Sequence, residues 1–349
     1  MSSIHSGGAA VRQVDPESRE EGFAFTASGS EYFRIWIVNL FLSVVTLGIY
    51  TAWAKVRRNQ YFYANTRLAG GGFEYHAKPL TILKGRIVMM VLFGAYALAG
   101  KVSPMLGLGI LLVIWAVMPW LLWKSLQFAL YNSSYRGIRF SFKGSAKEAY
   151  LYFLVLPLLG VLTLGLLYPF AHQRLKRFQH TSSHFGTMPF SFDARVGSFY
   201  KAYLGLFAVW VAAGVTTTIV LTSIVEMPAL GMLMWVPMIL YPFFICSALV
   251  FATLLQNLIW NHTQLGGHAF RSTMRGKEVI WIYLTNALGI ICTLGLFIPF
   301  ATVRLMKYRL ESTSLVVNGS LDDIVAGERM HVSPLGDGAA DLADFDLAL

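Results

Sequence analysis

The chain has 349 residues, 56% of them hydrophobic and only 13% charged, with 28 Lys and Arg against 18 Asp and Glu for a formal net charge of +10. That balance excludes an ordinary soluble domain, which needs more charge to cover its surface. The basic residues flank apolar runs, as the positive-inside rule requires, and form no basic–aromatic groove, so a nucleic-acid partner is not expected.

Residues 1–22 are small, polar and mixed in charge. They lack an apolar core, so no cleavable signal is expected, and the stretch reads as a disordered tail. Phe23-Ala24-Phe25-Thr26 alternates and reads as a short strand. Then comes Glu31–Tyr61, EYFRIWIVNLFLSVVTLGIYTAWAKVRRNQY, whose pattern returns from Glu148 and again from Glu278. In each copy Thr-Leu-Gly begins 15 residues after the Glu, at Thr46, Thr163 and Thr293, and an Arg follows that Thr by 11, at Arg57, Arg174 and Arg304. Phe140 and Phe270 stand before the later copies at the offset of Phe23. Such register marks an internal repeat, with units at 23–78, 140–195 and 270–319.

The limb before each Thr-Leu-Gly is about 15 residues, or roughly 22 Å as a helix, short of a bilayer core of about 30 Å. Pro169 and Pro299 follow the Gly in copies two and three, where a new helix can start. Two readings compete: one continuous crossing per copy, or a short re-entrant hairpin. All three copies are basic at both ends, for example Arg34 against Lys55, Arg57 and Arg58, which suits a hairpin that enters and leaves on one side. The chain then crosses four times; single spans would make seven.

Between the copies lie two longer apolar pairs within 79–131 and 197–260: Leu80–Gly100 with Met105–Trp123, and Ala202–Val225 with Ala229–Leu255. Their connections, Lys101–Pro104 and Glu226–Pro228, carry almost no positive charge and are expected on the trans side. Each linker runs from polar Asn, Ser or Thr through Gly to an alternating strand, as at Asn65–Tyr75 and Asn132–Phe142. Residues 320–349 are acidic and read as a mobile tail, and Cys246 and Cys292 read as free thiols inside apolar runs. The expected fold is an all-α integral membrane protein: tandem helical hairpins, three short and two long and spanning, with small cytoplasmic β elements in a single membrane domain over 23–319.

The string through TLGIYTAWAKVRR and YFYANT closely resembles the YjgN-type family of bacterial inner-membrane proteins, over roughly residues 22–318. The resemblance implies a multi-pass protein of the bacterial cytoplasmic membrane. It implies no activity, because the family is a domain of unknown function, and it carries over no catalytic or binding residue.

The repeated polar residues are the candidates for function. Glu31, Glu148 and Glu278 either complement helix N-termini or ring an entrance for cations. Arg57, Arg174 and Arg304 either snorkel to headgroups or build an anion or lipid-phosphate site. Thr46, Thr163 and Thr293 either cap structural turns or line a wet cavity, as broken helices do in transporters. Asn39 and Asn286 are equivalent, with Leu156 in copy two, and either bond between helices or line a polar path. His180 and His184 straddle a helix end, with His172 two turns back, so no metal site is expected. No Walker, G-x-S-x-G or H-E-x-x-H pattern occurs, so neither catalytic residues, a cofactor nor an enzyme is expected. The leading expectation is permeation of a small solute or ion; the alternative is a non-transporting scaffold or lipid-interacting protein. Membrane lipids are the expected partners, a homo-oligomer is possible, and both termini are expected in the cytoplasm.

Overall fold

The computed structural model describes residues 18–223, 225, 229–319 and 325. The expected tails at 1–22 and 320–349, apart from 18–22 and Val325, lie outside the described residues, as does the connection at Glu226–Pro228.

The all-α expectation is overturned. Among the described residues ten strands close into an antiparallel barrel, and ten helices rise from it in five pairs. The order is β1 (Ser18–Phe25), α1 (Gly29–Val45), α2 (Thr51–Ala64), β2 (Thr66–Leu68), β3 (Gly71–Tyr75), α3 (Pro79–Val102), α4 (Pro104–Tyr131), β4 (Ser133–Tyr135) and β5 (Ile138–Phe142). The chain continues with α5 (146–162), α6 (Tyr168–Thr181), β6 (Ser183–Phe185), β7 (Met188–Phe192), α7 (Val196–Ser223) and α8 (Ala229–Asn261). It ends with β8 (Thr263–Leu265), β9 (His268–Ser272), α9 (Gly276–Cys292), α10 (Ile298–Glu311) and β10 (Thr313–Asn318). Residues 18–22, read from sequence as tail, belong to β1, where they pair with β10.

Strands of three to eight residues are marginal by themselves, and closure is what stabilises them. Tight turns join them at the end away from the helices. Three of these turns have positive φ at both central residues: Ala69-Gly70, Arg136-Gly137 and Gly266-Gly267. That is the turn whose twist matches the strands it joins. Ser18 pairs with Asn318 to seal the barrel.

Five cross-strand pairs of side chains face inward: Phe23 opposite Leu68, Phe73 opposite Tyr135, Phe140 opposite Phe185, Phe190 opposite Leu265, and Phe270 opposite Leu315. These ten pack with Ile138, Val317 and Val325 into one core. Full burial of such a side chain contributes about 1.5–3 kcal/mol, and Phe23, Phe73, Phe140 and Phe190, which are partly buried, contribute less. The rings interlock, with Phe73 and Tyr135 centroids 4.8 Å apart and Phe140 and Phe185 5.1 Å apart. The barrel is therefore a packed plug and differs from a lipid-spanning barrel with a wet lumen.

The helices form a closed ring. Each packs along its neighbours in sequence, and α10 returns to α1. That last seam is tight: a Cβ on Gly29 would lie 2.4 Å from Phe300 Cδ1. In α5 the helix widens to a π turn over Leu151–Val155. Pro157 follows, and its missing N–H cannot bond the carbonyl four residues back, which the extra residue accommodates.

Among the described residues four helices are long and apolar enough to cross a membrane: Pro79–Val102, Pro104–Tyr131, Val196–Ser223 and Met234–Asn261. Between 6% and 17% of their most apolar windows is buried. Helices apolar all round and so little covered need a hydrocarbon solvent.

Candidate functional site

The Thr-Leu-Gly turns build themselves from local bonds. Thr46 Oγ1 donates to Leu42 O at 2.7 Å and accepts from Tyr50 N at 2.9 Å. Thr163 and Thr293 do the same with Leu159 and Leu167, and with Gly289 and Phe297. Gly48 N reaches back to Ser43 O at 2.7 Å. Two left-handed residues in a row, Leu47 at φ 50° and Gly48 at φ 91°, reverse the chain, and the pattern repeats at Leu164-Gly165 and Leu294-Gly295. The threonines thus spend their hydroxyls within their own turns. The leucines stand 94–95% exposed at the tips.

The three glutamates sit in the first turns of α1, α5 and α9, on the barrel side. Glu31 accepts from Tyr61 Oη at 3.0 Å. Glu148 completes a capping box with Ser145, and Glu278 stands in the first turn of α9. The three arginines have different surroundings. Arg174 lies over the Phe170 ring at 5.1 Å, while Arg304 donates to Thr285 Oγ1 at 2.7 Å and Asn286 Oδ1 at 3.4 Å. Arg57 is exposed.

What the fold does assemble is a cavity of about 410 Å³ between α10, α1, α2 and α3, four consecutive members of the ring. Its charged lining is Lys55, Arg58 and Arg86, joined by Asn39, Ser43 and Thr51. Among the described residues no carboxylate lines it. Among the described residues none of the three cations has an ion pair, and Arg86 donates to Thr51 Oγ1. Burial, with the guanidiniums of Arg86 and Arg58, holds the Lys55 ammonium below the ordinary lysine range. Lys55 and Arg58 are exposed and Arg86 is half-buried, so solvent screens much of their mutual repulsion, and an anion in the cavity would relieve the rest.

Asn39 is 7% exposed and lines the same space; its Oδ1 is buried away from solvent and, among the described residues, accepts no hydrogen bond. The sequence places Asn39 and Asn286 in register, but only Asn39 reaches this cavity; Asn286 donates to Ala301 O at 3.3 Å and accepts from Arg304. At a rise of 1.5 Å per residue, Asn39 lies about 15 Å and Arg86 about 10 Å along their helices from the barrel end.

The corresponding position in copy two is neutral. His172, in register with Lys55, bonds Tyr203 Oη at 2.9 Å. Burial, and then Lys176, lowers His172 to about 4, and His180 likewise to about 4. His180 stacks on Phe192. Among the described residues no group of three His, Cys, Asp or Glu could hold a metal ion. A second cavity, about 400 Å³, lies between α7, α8 and α9; it is apolar, lined by Leu206, Val209, Phe243 and Phe251, with Lys201 among its lining residues.

Sequence reasoning missed Lys55, Arg58 and Arg86 as a group. The available signal was Arg86 itself, a cation inside the apolar run Leu80–Gly100, where ionisable groups are expensive. Its partners lie on a different hairpin, and no periodicity links them.

The family described as Bacterial protein of unknown function (DUF898) matches residues 20–342. The chain is similar to the inner membrane protein YjgN of Salmonella typhimurium, 23% identical over 88% of this chain and 91% of that protein. It is also similar to the inner membrane proteins YjgN of Escherichia coli O157:H7, at 28%, and of Escherichia coli K12, at 31%, in each case over 44% of this chain and 39% of the relative. No solved structure matches.

Proposed function

For this chain, which belongs to the family of bacterial proteins of unknown function DUF898 and whose named relatives are inner membrane proteins, we propose that the function is to hold anionic lipid by its phosphate. The observation that carries this reading is the cavity of Lys55, Arg58 and Arg86 with no carboxylate. Guanidinium forks and an ammonium suit phosphate oxygens.

The membrane arrangement follows from charge. Cations cluster at the barrel end, among them Arg67, Arg139, Lys143, Arg271 and Arg275. The far end of the α3–α4 pair has Lys101 alone. A cytoplasmic barrel, four crossings and both described chain ends on the cytoplasmic side satisfy the positive-inside rule. The three short pairs are then re-entrant, with Leu47, Leu164 and Leu294 in hydrocarbon. The cavity falls near the cytoplasmic headgroups, where the hydrophobic ring can take acyl chains.

A second reading, permeation of a small solute or ion, is favoured by the three broken helices. Against it, aromatic side chains fill the barrel axis, and the turn threonines are bonded locally. Flux of a solute panel into liposomes above protein-free controls would support permeation.

The lipid reading is tested by native mass spectrometry after gentle extraction. The wild type is expected to retain anionic phospholipid, and the variant Lys55→Gln, Arg58→Gln, Arg86→Gln to lose about tenfold in retention, equivalent to about 1.4 kcal/mol. A Lys101→Gln control should behave as wild type. Equal retention by the triple variant rules the reading out.

A further inference from the structure

The cavity also selects the charge state of the phosphate it takes, an inference that rests on the lipid reading above. Its charged wall is all cationic: Lys55 and Arg58 from α2 and Arg86 from α3. Thr51 donates to Gly48 O and accepts from Arg86, which holds that guanidinium at the wall. Asn39 adds a donor. Its Oδ1 is closed off, so the end of the amide that meets the cavity is Nδ2. In copy three the equivalent Nδ2 donates to Ala301 O at 3.3 Å. In copy one the counterpart of Ala301 is Ala54, which lines the cavity, and among the described residues Asn39 Nδ2 has no acceptor.

A ligand that fits this wall brings negative charge and acceptors. An amine headgroup would meet three cations and no carboxylate. A phosphodiester has one charge and two free oxygens, fewer than the donor groups around it. A phosphate monoester has up to two charges and three free oxygens. We infer that the cavity takes the terminal phosphate of a monoester as its dianion, as in phosphatidic acid, with the oxygens on Lys55, Arg58, Arg86 and Asn39 Nδ2. Solvent screens the exposed Lys55 and Arg58, so the second charge is worth about tenfold in affinity, far below its worth in a dry site. A soluble polyol phosphate presents the same terminal group, so the source must be separated by experiment.

The direct comparison uses the intact protein in nanodiscs, with retained lipid read by native mass spectrometry. Phosphatidic acid is compared with phosphatidylglycerol, a diester, and with phosphatidylethanolamine, well above and well below the pH of about 6 at which a monoester loses its second proton. The titratable and charged groups on the wall are Lys55, Arg58 and Arg86, with Tyr32 from α1 and none from α10. None is a histidine or a carboxylate, so the phosphate is the group that titrates in this range. Cations favour its charged form, so binding weakens as pH falls through about 6. At the higher pH the wild type should retain phosphatidic acid about tenfold above phosphatidylglycerol, and at the lower pH the two should approach parity. Phosphatidylethanolamine should be retained least. Asn39→Leu should narrow the preference at the higher pH about fivefold, the ordinary worth of one net hydrogen bond. A leucine occupies the equivalent position 156 of copy two, so the fold accommodates it there. Parallel loss of both anionic lipids in that variant overturns the Asn39 contact.

Equal retention of phosphatidic acid and phosphatidylglycerol by the wild type at the higher pH, or a preference that does not change with pH, overturns the dianion inference and leaves the lipid reading standing. Retention of neither above phosphatidylethanolamine overturns both. Displacement of bound phosphatidic acid by equimolar soluble glycerol phosphate overturns the lipid source and assigns the cavity to a soluble monoester.

Discussion

Replacing Thr46 by Val asks whether the short hairpins dip into hydrocarbon. Valine keeps the shape and removes one hydroxyl. Leu42 O keeps its backbone partner, because Thr46 N also donates to it at 3.0 Å. Tyr50 N loses the acceptor it has at 2.9 Å. One donor per turn is orphaned, so the cost depends on the surrounding solvent. In water the N–H is rehydrated and the loss is a few tenths of a kcal/mol; in a dry site it is about 1–3 kcal/mol. For a domain of this size 2 kcal/mol lowers Tm by roughly 3 °C. The assay is thermal unfolding in nanodiscs of Thr46→Val beside Thr46→Ser, which keeps the hydroxyl. The expected result is a loss of about 3 °C for Val and close to none for Ser. Equal melting of Val and Ser would put the tip in water and refute the re-entrant placement.

Other consequences are open to measurement. Leu315→Ala, at 2% exposure on the strand beside the closing seam, removes three buried carbons and should cost about 2–5 kcal/mol in a chemical melt; under 1 kcal/mol would mean that the barrel is not a cooperative core. Glu148→Ala breaks the capping box with Ser145 and should cost about 1 kcal/mol, which Glu148→Gln should largely recover because an amide can cap too. His172 and His180 are held at about 4 in the folded state, so the unfolded chain binds more protons below its ordinary 6.5. Stability should therefore be complete above that pH and fall as pH drops towards 4, with His172→Phe showing a shallower fall. Glu31→Cys and Arg57→Cys, each alone in a background without Cys246 and Cys292, should label from the cytoplasm and Val102→Cys from the periplasm; opposite access for the first two contradicts the four-crossing topology.

The sequence carried the local parts of this architecture and hid the long-range ones. Thr46, Gly48, Pro169 and Pro299 show where helices break, because capping and φ preference act within a few residues. Pro169 and Pro299 do open their helices. Phe23, Phe140 and Phe270 show that strands precede the helices. Nothing local shows that these strands join in one barrel. Its seal, Ser18 on Asn318, spans almost the whole chain, and most strands are too short to register as a sheet. The repeat also drew attention to residues that recur, such as Arg57, Arg174 and Arg304. The cations of the cavity do not recur: the counterparts of Lys55 are His172 and Thr302, and those of Arg58 are Leu175 and Leu305. Copies that keep a fold can differ in the one site where a ligand binds, and there shared pattern is the wrong guide.

The most direct measurement of the central claim is a cryo-electron microscopy map of the protein in nanodiscs of phosphatidylglycerol and phosphatidylethanolamine. Phosphate density is expected within hydrogen-bonding distance of Lys55, Arg58 and Arg86, with acyl density leading away along the helix ring. A cavity holding only water, with ordered lipid elsewhere on the ring, would contradict it.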